Sequence, residues 1–437
     1  MNAHLRKICF LFAVLMWADG TLQGQVQADL QNGQTGESKP WVDSLLGAYQ
    51  YFQTQKNITA ADKLYQAAEL MPVKNWEVYM VAATLYGAFG ELDKGFLSID
   101  RAVDSGMNDF KLLTSLPDLM PFRKDTRWEN VLEKAKRIEE AANSKIQKPE
   151  LLEELKAMWQ SDQAALANFN EQVNKPGQEL SAEAHRALFK EVEHTWDENR
   201  TRLEEIISEY GWPGYKLVGK EGEKLSWAIP QHHPDVFFKK QCLALIKRSV
   251  EKGDANPNHY AELHDRIARD IWTKQKFGAS MGQGKPYPIA NPAAVNQRRE
   301  QLGLADPVEI YAMYHRVAYR APSQKQAAED SIRSFNMAQE KYALFLEQIS
   351  DNSSVAVNNL KEAIRHYGDL SNQQLFKASQ VLVATNQADA VDLSLRILKV
   401  LVWREWEGSN SILSSHSFDA LFTKEDWSEL KAMILDR

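Results

Sequence analysis

His232, Asp265, Asp162 and Asp197, with Arg266 and Arg298, are residue types that can do chemistry together. An imidazole titrates near neutral pH, so His232 can serve as a general acid or base. Asp265 is expected to orient that imidazole, and Arg266 or Arg298 can hold an anionic group by bidentate hydrogen bonds. Asp162 and Asp197 add carboxylates from two long helical segments. Such a set suits hydrolysis of a phosphoester or amide, or binding of a hydroxyl-rich ligand. The same residues also fit a structural role. Asp265–Arg298 and Asp162–Arg266 can pair between helices, and His232 can cap a helix or bond a buried carbonyl.

Other constellations are weaker. His194-Thr195-Trp196-Asp197 places two metal-ligand types at i and i+3, and His264-Asp265 adds two more. No His-Glu-x-x-His and no Cys pair accompanies them, so no metal and no cofactor is expected. Gly278–Lys285 (GASMGQGK) resembles a phosphate-binding loop only in outline. It has one residue too many, and Pro286 stands where a hydroxyl residue belongs. We read it as a loop, ending in Pro286-Tyr287-Pro288, that can act as a lid. Ser415-His416 lies isolated near the C-terminus and supports no serine nucleophile. Cys242 falls in an apolar helical stretch and reads as a buried, inert thiol. Asn57-Ile58-Thr59, Asn199-Arg200-Thr201 and Asn352-Ser353-Ser354 fit the glycosylation pattern, which matters only in a eukaryotic secretory pathway.

The candidates cluster in residues 146–316, where the apolar spacing predicts helices throughout. Leu151, Leu152, Leu155, Met158 and Trp159 form one apolar face, continued by Leu166 and Phe169. Ala187, Leu188, Val192, Trp196, Leu203, Ile206 and Ile207 form a second, stopped by Gly211-Trp212-Pro213. Prolines then mark predicted helix starts at 234–252, 257–272, 292–302 and 307–319. In order along this segment come Asp162-Gln163, Asp197, Gly211-Trp212-Pro213, Gln231-His232, Asp265-Arg266 and Arg298-Arg299. That order resembles an uncharacterised bacterial domain family, the domain-of-unknown-function family 6624. The family is marked by Gly-Trp-Pro, Gln-His, Asp-Arg and Arg-Arg. The resemblance implies a domain identity and no activity. Through it Gln231 and Arg299 join the candidate ligand-binding residues, and His232 is the one motif residue with a neutral-range pKa. The sequence departs from the pattern at His232-His233-Pro234-Asp235, where a shorter Gln-His-small-Asp run is expected. It also reads Lys276-Phe277-Gly278-Ala279-Ser280 where Tyr-Gly-Thr-Gln is expected.

Paired helices flank this segment. Tyr51, Ala60, Ala67 and Pro72 recur 35 residues later as Tyr86, Gly95, Ala102 and Met107, with Gly90 at the turn and Gly106 closing the second helix. This spacing resembles the tetratricopeptide repeat. Downstream, Asn386-Gln387-Ala388-Asp389 stands where Gly90-Glu91-Leu92-Asp93 stood. Phe422 and Trp427 follow Phe122 and Trp128 at separations of 300 and 299 residues. The two segments read as duplicated modules, at 41–145 and 317–437. The fold class expected is all-α, with helical-repeat modules on either side of a central helical domain.

At the N-terminus, Arg6 and Lys7 precede the ten-residue apolar run Ile8–Trp17, and Val26-Gln27-Ala28 offers a cleavage end. Residues 1–28 read as a signal peptide and 29–40 as a flexible leader. Ten helical residues rise about 15 Å, half of a bilayer core, so no permanent span is expected. Removing the signal also removes Cys9, leaving Cys242 with no disulfide partner. The 437 residues carry a formal charge of −7 at 44% hydrophobic and 25% charged composition, which argues against a nucleic-acid partner. The expected protein is exported, periplasmic or extracellular, with a binding or scaffold role and a protein or peptide partner on its repeat surfaces. The alternative is a hydrolase-like enzyme with a His/Asp/Arg site in the central domain.

Overall fold

The computed structural model describes residues 40–54, 56–71, 74–107, 110–175, 180–282, 284–304, 306–315, 317, 319–351, 353–422 and 425–435. Residues 1–28, expected as a signal peptide, all of the expected leader but its last residue, and Pro72 lie outside them. Among the described residues the chain is all-α, as expected. No strand forms, and β pairing is confined to the isolated bridges Gln275–Ile289 and Met281–Pro286. No helix among them is long and apolar enough to cross a membrane. They fall into two compact units, one within Met1–Pro149 with Ile310–Ala318, the other within Glu150–Glu309 with Tyr319–Arg437.

The first unit is built from α1 (Pro40–Gln53), α2 (Asn57–Leu70), α3 (Trp76–Ala88), α4 (Leu92–Asp104), α5 (Phe110–Ser115) and α6 (Arg127–Asn143). α1 packs on α2, α2 on α3 and α3 on α4, and α6 returns onto α4. Small residues let these backbones approach: Ala60, Ala67 and Ala102 are fully buried. Phe122, between α5 and α6, is equally buried and lies edge-on to Phe96 with ring centroids 5.1 Å apart. A Cβ added at Gly95 would stand 2.4 Å from the Phe122 ring, so glycine is required there. Gly90 and Gly106 take the left-handed φ values that the turn and the helix end need.

The second unit opens with the long helices α7 (Pro149–Val173) and α8 (Ala182–Tyr210), followed by α9 (Tyr215–His232), α10 (Val236–Glu251), α11 (Pro257–Asp270) and the short α12 (Val295–Gln301). The connection between α8 and α9 carries out the Gly-Trp-Pro motif. Gly211 adopts φ +77° and ends α8, Trp212 is buried, and Gly214 lets the Asp254 backbone come so close that a Cβ would clash at 2.5 Å. Asp235, Asn256 and Ser181 cap α10, α11 and α8 by accepting from backbone amides. Prolines sit at or just before the starts of α10 and α11, but the predicted helix 307–319 is only α13 (Val308–Tyr314).

The same unit contains α14 (Gln324–Gln348), α15 (Ser353–Ile364), α16 (Asn372–Ala384), α17 (Ala388–Trp403), α18 (Asn410–Ser414) and α19 (Glu425–Leu435). Asn386 takes φ +54° between α16 and α17, the conformation Gly90 takes between α3 and α4. Trp427 is buried like Trp128, but Phe422 is 50% exposed, and the ring that fills the core is Phe418. The equivalence of Phe422 with Phe122 therefore fails on burial. Arg404 ties this module to the end of α11, donating to the carbonyls of Ile271 (2.8 Å) and Trp272 (2.7 Å).

Candidate active site

His232 is the last residue of α9, and Asp162 lies midway along α7. Packing of α7, α8 and α9 brings the two together across 70 residues of chain. His232 Nδ1 lies 3.0 and 2.9 Å from the two carboxylate oxygens of Asp162. A ring nitrogen facing a carboxylate must carry the proton, so Nδ1–H donates and Nε2 holds the lone pair in the neutral ring. Nε2 has no hydrogen-bond partner among the described residues, and the His232 side chain is 27% exposed while Asp162 is 6% exposed.

Asp162 is held by more than His232. Trp196 Nε1 donates to Oδ1 at 2.7 Å, and Gln163 Nε2 donates to Oδ2 at 2.8 Å. Burial pushes the Asp162 carboxyl up, but the His232, Gln163 and Trp196 bonds outweigh it and hold the group below its ordinary value. It therefore stays ionised at neutral pH. Two indoles border the imidazole, with ring centroids at 5.6 Å for Trp159 and 6.3 Å for Trp196. The aromatic series continues from Trp196 to Phe189 and Phe169 between α7 and α8. By apolar spacing alone Trp159 and Trp196 are core positions. Trp159 and Asp162 at i and i+3 share a helix face, and that spacing was the available signal.

The neighbouring histidine is built the opposite way. His233 Nδ1 accepts from the Asp235 amide at 3.0 Å, so its Nε2–H donates to Asp197 Oδ1 at 3.0 Å. Both nitrogens are occupied and the ring is 3% exposed, so His233 locks the α9–α10 corner. Asp197 thus serves His233, not His232. Burial pushes His233 below its ordinary value against the pull of Asp197, and burial also lowers His366. Each lowered imidazole protonates in the folded state only below the pH at which the unfolded chain does. Stability is therefore complete above about pH 6.5 and is lost as pH falls through the folded values. Urea unfolding should show a lower midpoint at about pH 5 than at about pH 7.5, with the drop reduced in a His233→Gln/His366→Gln variant. An equal midpoint at both pH values would contradict this.

Asp265 does not orient His232. Its side chain is fully buried, and its oxygens accept from the backbone amides of Lys276 (2.8 Å), Phe277 (2.9 Å) and Ala279 (2.9 Å). His264 Nδ1 lies 3.0 Å from Oδ1. The carboxylate thus closes the 276–279 loop, and no acceptor position remains for a distant imidazole. Arg298 secures the same region by donating to the carbonyls of Lys276, Asn291 and Ala290 at 2.8, 3.0 and 2.6 Å. Arg299, 1% exposed, donates to the carbonyls of Phe277 (2.9 Å) and Asp306 (2.7 Å). Gln275 completes the frame through Ser280 and Tyr287. Neither Asp265–Arg298 nor Asp162–Arg266 forms an ion pair.

Arg266 donates to the Gln231 carbonyl at 3.3 and 3.0 Å and so caps the end of α9. The Gln231 amide, in the orientation that satisfies its donors, accepts from Trp227 Nε1 and the Leu263 amide at 3.1 Å each. These residues set where α9 ends and hence where His232 points. Of the expected site residues, only Asp162 meets the His232 ring, while Arg266 and Gln231 meet through the Gln231 carbonyl.

The remaining candidates are elsewhere. Ser415 Oγ accepts from Gln380, and the His416 side chain is 98% exposed. Cys242 is 1% exposed, and burial pushes its thiol well above the usual range. Among the described residues no group of three or more His, Cys, Asp and Glu is placed to hold a metal. In the loop read as a lid, Gly282 donates to the Lys285 carbonyl at 2.9 Å.

Searches of curated proteins and of solved structures give no match to the chain. Residues 149–322 match the model of a family of unknown function (DUF6624). The segment that carries the His232–Asp162 pair and the buried Asp265 loop is therefore a domain of that family.

Proposed function

We propose that this domain is a hydrolytic acid–base centre in which His232 is the general base and Asp162 its positioning partner. The observation that carries this is the pair's geometry: Nδ1 is held by a buried carboxylate while Nε2 is left without a partner beside two indoles. In this reading Nε2 takes a proton from a water attacking a carbonyl carbon, Asp162 stabilises the imidazolium, and the proton passes to the leaving group. An uncharged ester- or amide-linked substrate fits better than a phosphoester. The Asp162 charge adjoins the reacting position, and Arg266 and Arg298 are occupied with backbone carbonyls. The flanking helical pairs support tetratricopeptide-like modules that hold a protein or peptide partner, and the Arg6-Lys7 and Ile8–Trp17 pattern supports export to a periplasmic or extracellular location.

The test is turnover by the full-length protein of chromogenic esters, amides and phosphoesters, beside His232→Asn. Ester or amide hydrolysis that disappears in the variant supports the reading. Turnover confined to phosphoesters, or unchanged in the variant, overturns it.

A further inference from the structure

A second polar cluster lies where α10, α11 and α17 meet. Lys239 of α10 is 3% exposed and bonds the Asp270 carboxylate. Arg269 of α11 reaches the same carboxylate at 3.5 Å, and Arg396 of α17 reaches the Asp270 carbonyl at 3.4 Å. Two cations, Lys239 and Arg269, thus face one carboxylate, and a third, Arg396, bonds the carbonyl of the same residue. Two tyrosines border them: Arg269 lies over Tyr287 at 5.6 Å, and the Tyr287 and Tyr367 rings are 5.6 Å apart.

The arrangement exceeds what the fold needs. Arg269 donates no hydrogen bond to any described residue, and Arg396 donates one long one while resting on the Trp403 ring at 5.1 Å. Basic groups in the last turn of α11 complement its dipole, but that does not account for Lys239 or Arg396, which come from other helices. Lys239 sits in the first turn of α10, where a cation is disfavoured. Burial pushes Lys239 down, Asp270 pulls it back, and Arg266 and Arg269 push it down again, leaving a net fall. Burial and Arg269 lower Arg266 as well. Each of these displacements would be relieved by a further negative charge.

We propose that this junction binds a phosphate-class dianion, gripped by Arg269 and Arg396 against the Lys239–Asp270 pair. A dianion with several acceptor oxygens can accept from two guanidinium groups that approach one residue from different helices, which a single carboxylate oxygen does less well. Because Arg396 belongs to α17, the C-terminal module completes a site that the central domain begins. This inference stands apart from the His232 chemistry and does not depend on it.

Inorganic phosphate is the probe. Thermal unfolding and titration calorimetry of the full-length protein should show saturable stabilisation by phosphate that acetate and chloride do not give at matched ionic strength. Arg269→Gln and Arg396→Gln should each weaken binding at least ~10-fold, about 1.4 kcal/mol. Arg269→Lys, which keeps the charge but loses the fork, should fall between. Lys247→Gln, at an exposed position on α10, should bind as the native protein does. The proposal is overturned by the absence of saturable binding, by equal stabilisation from acetate or chloride, or by native affinity in folded Arg269→Gln and Arg396→Gln.

Discussion

Replacing Asp162 with Asn lowers the turnover of His232-dependent substrates by on the order of 10²- to 10⁴-fold, the range by which positioned acid–base groups accelerate reactions. The cause is local. Asp162 fixes the proton on Nδ1 and offsets the charge that forms when Nε2 takes a second proton. An amide in its place can still fill the space between α7, α8 and α9, but it carries no charge. It also turns a donor toward Trp196, Gln163 or the ring, all of which now donate to the carboxylate. His232→Asn should give a loss of similar size, and the double variant should lose little more than either single one. Far-ultraviolet circular dichroism should remain helical in both single variants. A rate within about twofold of native in folded Asp162→Asn would show that the carboxylate has no part in the chemistry.

Replacing Asp265 with Ala should cost about 3 kcal/mol or more in unfolding free energy. Three backbone amides would lose their acceptor in a fully buried site, at about 1–3 kcal/mol each before relaxation. Asp265→Asn should also destabilise, since one of its two ends would present donors to donors. Urea unfolding of the full chain checks both. A midpoint shift worth less than about 1 kcal/mol for Asp265→Ala would mean that the 276–279 loop is held by Arg298, Arg299 and Gln275 alone. The contrast between the two aspartates matters for function: Asp162 changes chemistry more than stability, and Asp265 changes stability first.

That contrast was not legible in the sequence. Motif order picked out both carboxylates, and apolar spacing placed Asp162 on a long helix. Which of them meets His232 depends on how α7 and α11 are rotated about their own axes, and on a loop whose amides point at Asp265. Neither is encoded at short range. Signals that act locally fared better. Gly211 before Trp212-Pro213 ends α8, Pro257 opens α11, and Gly90 and Asn386 turn their hairpins through left-handed backbone. Pro230 shows the limit of such rules. It lies inside α9, where proline ordinarily breaks a helix, and the kink falls earlier at Gly219. Phe418 and Phe422 show another limit: both fit an apolar spacing and both rings adjoin Trp427, and packing against Phe376 selects Phe418 for the core.

The protonation of the two adjacent histidines decides whether Nε2 of His232 is free to act as a base. His232 faces Asp162 through Nδ1, and His233 faces Asp197 through Nε2. Nitrogen-15 correlation spectra of the histidine side chains in the full-length protein, recorded at about pH 8, distinguish these tautomers. Opposite forms are expected: His232 protonated on Nδ1 with a bare Nε2, and His233 protonated on Nε2 with Nδ1 accepting from the Asp235 amide. A His232 ring protonated on Nε2 and bare at Nδ1 would contradict this, because the nitrogen assigned as general base would then already hold its proton.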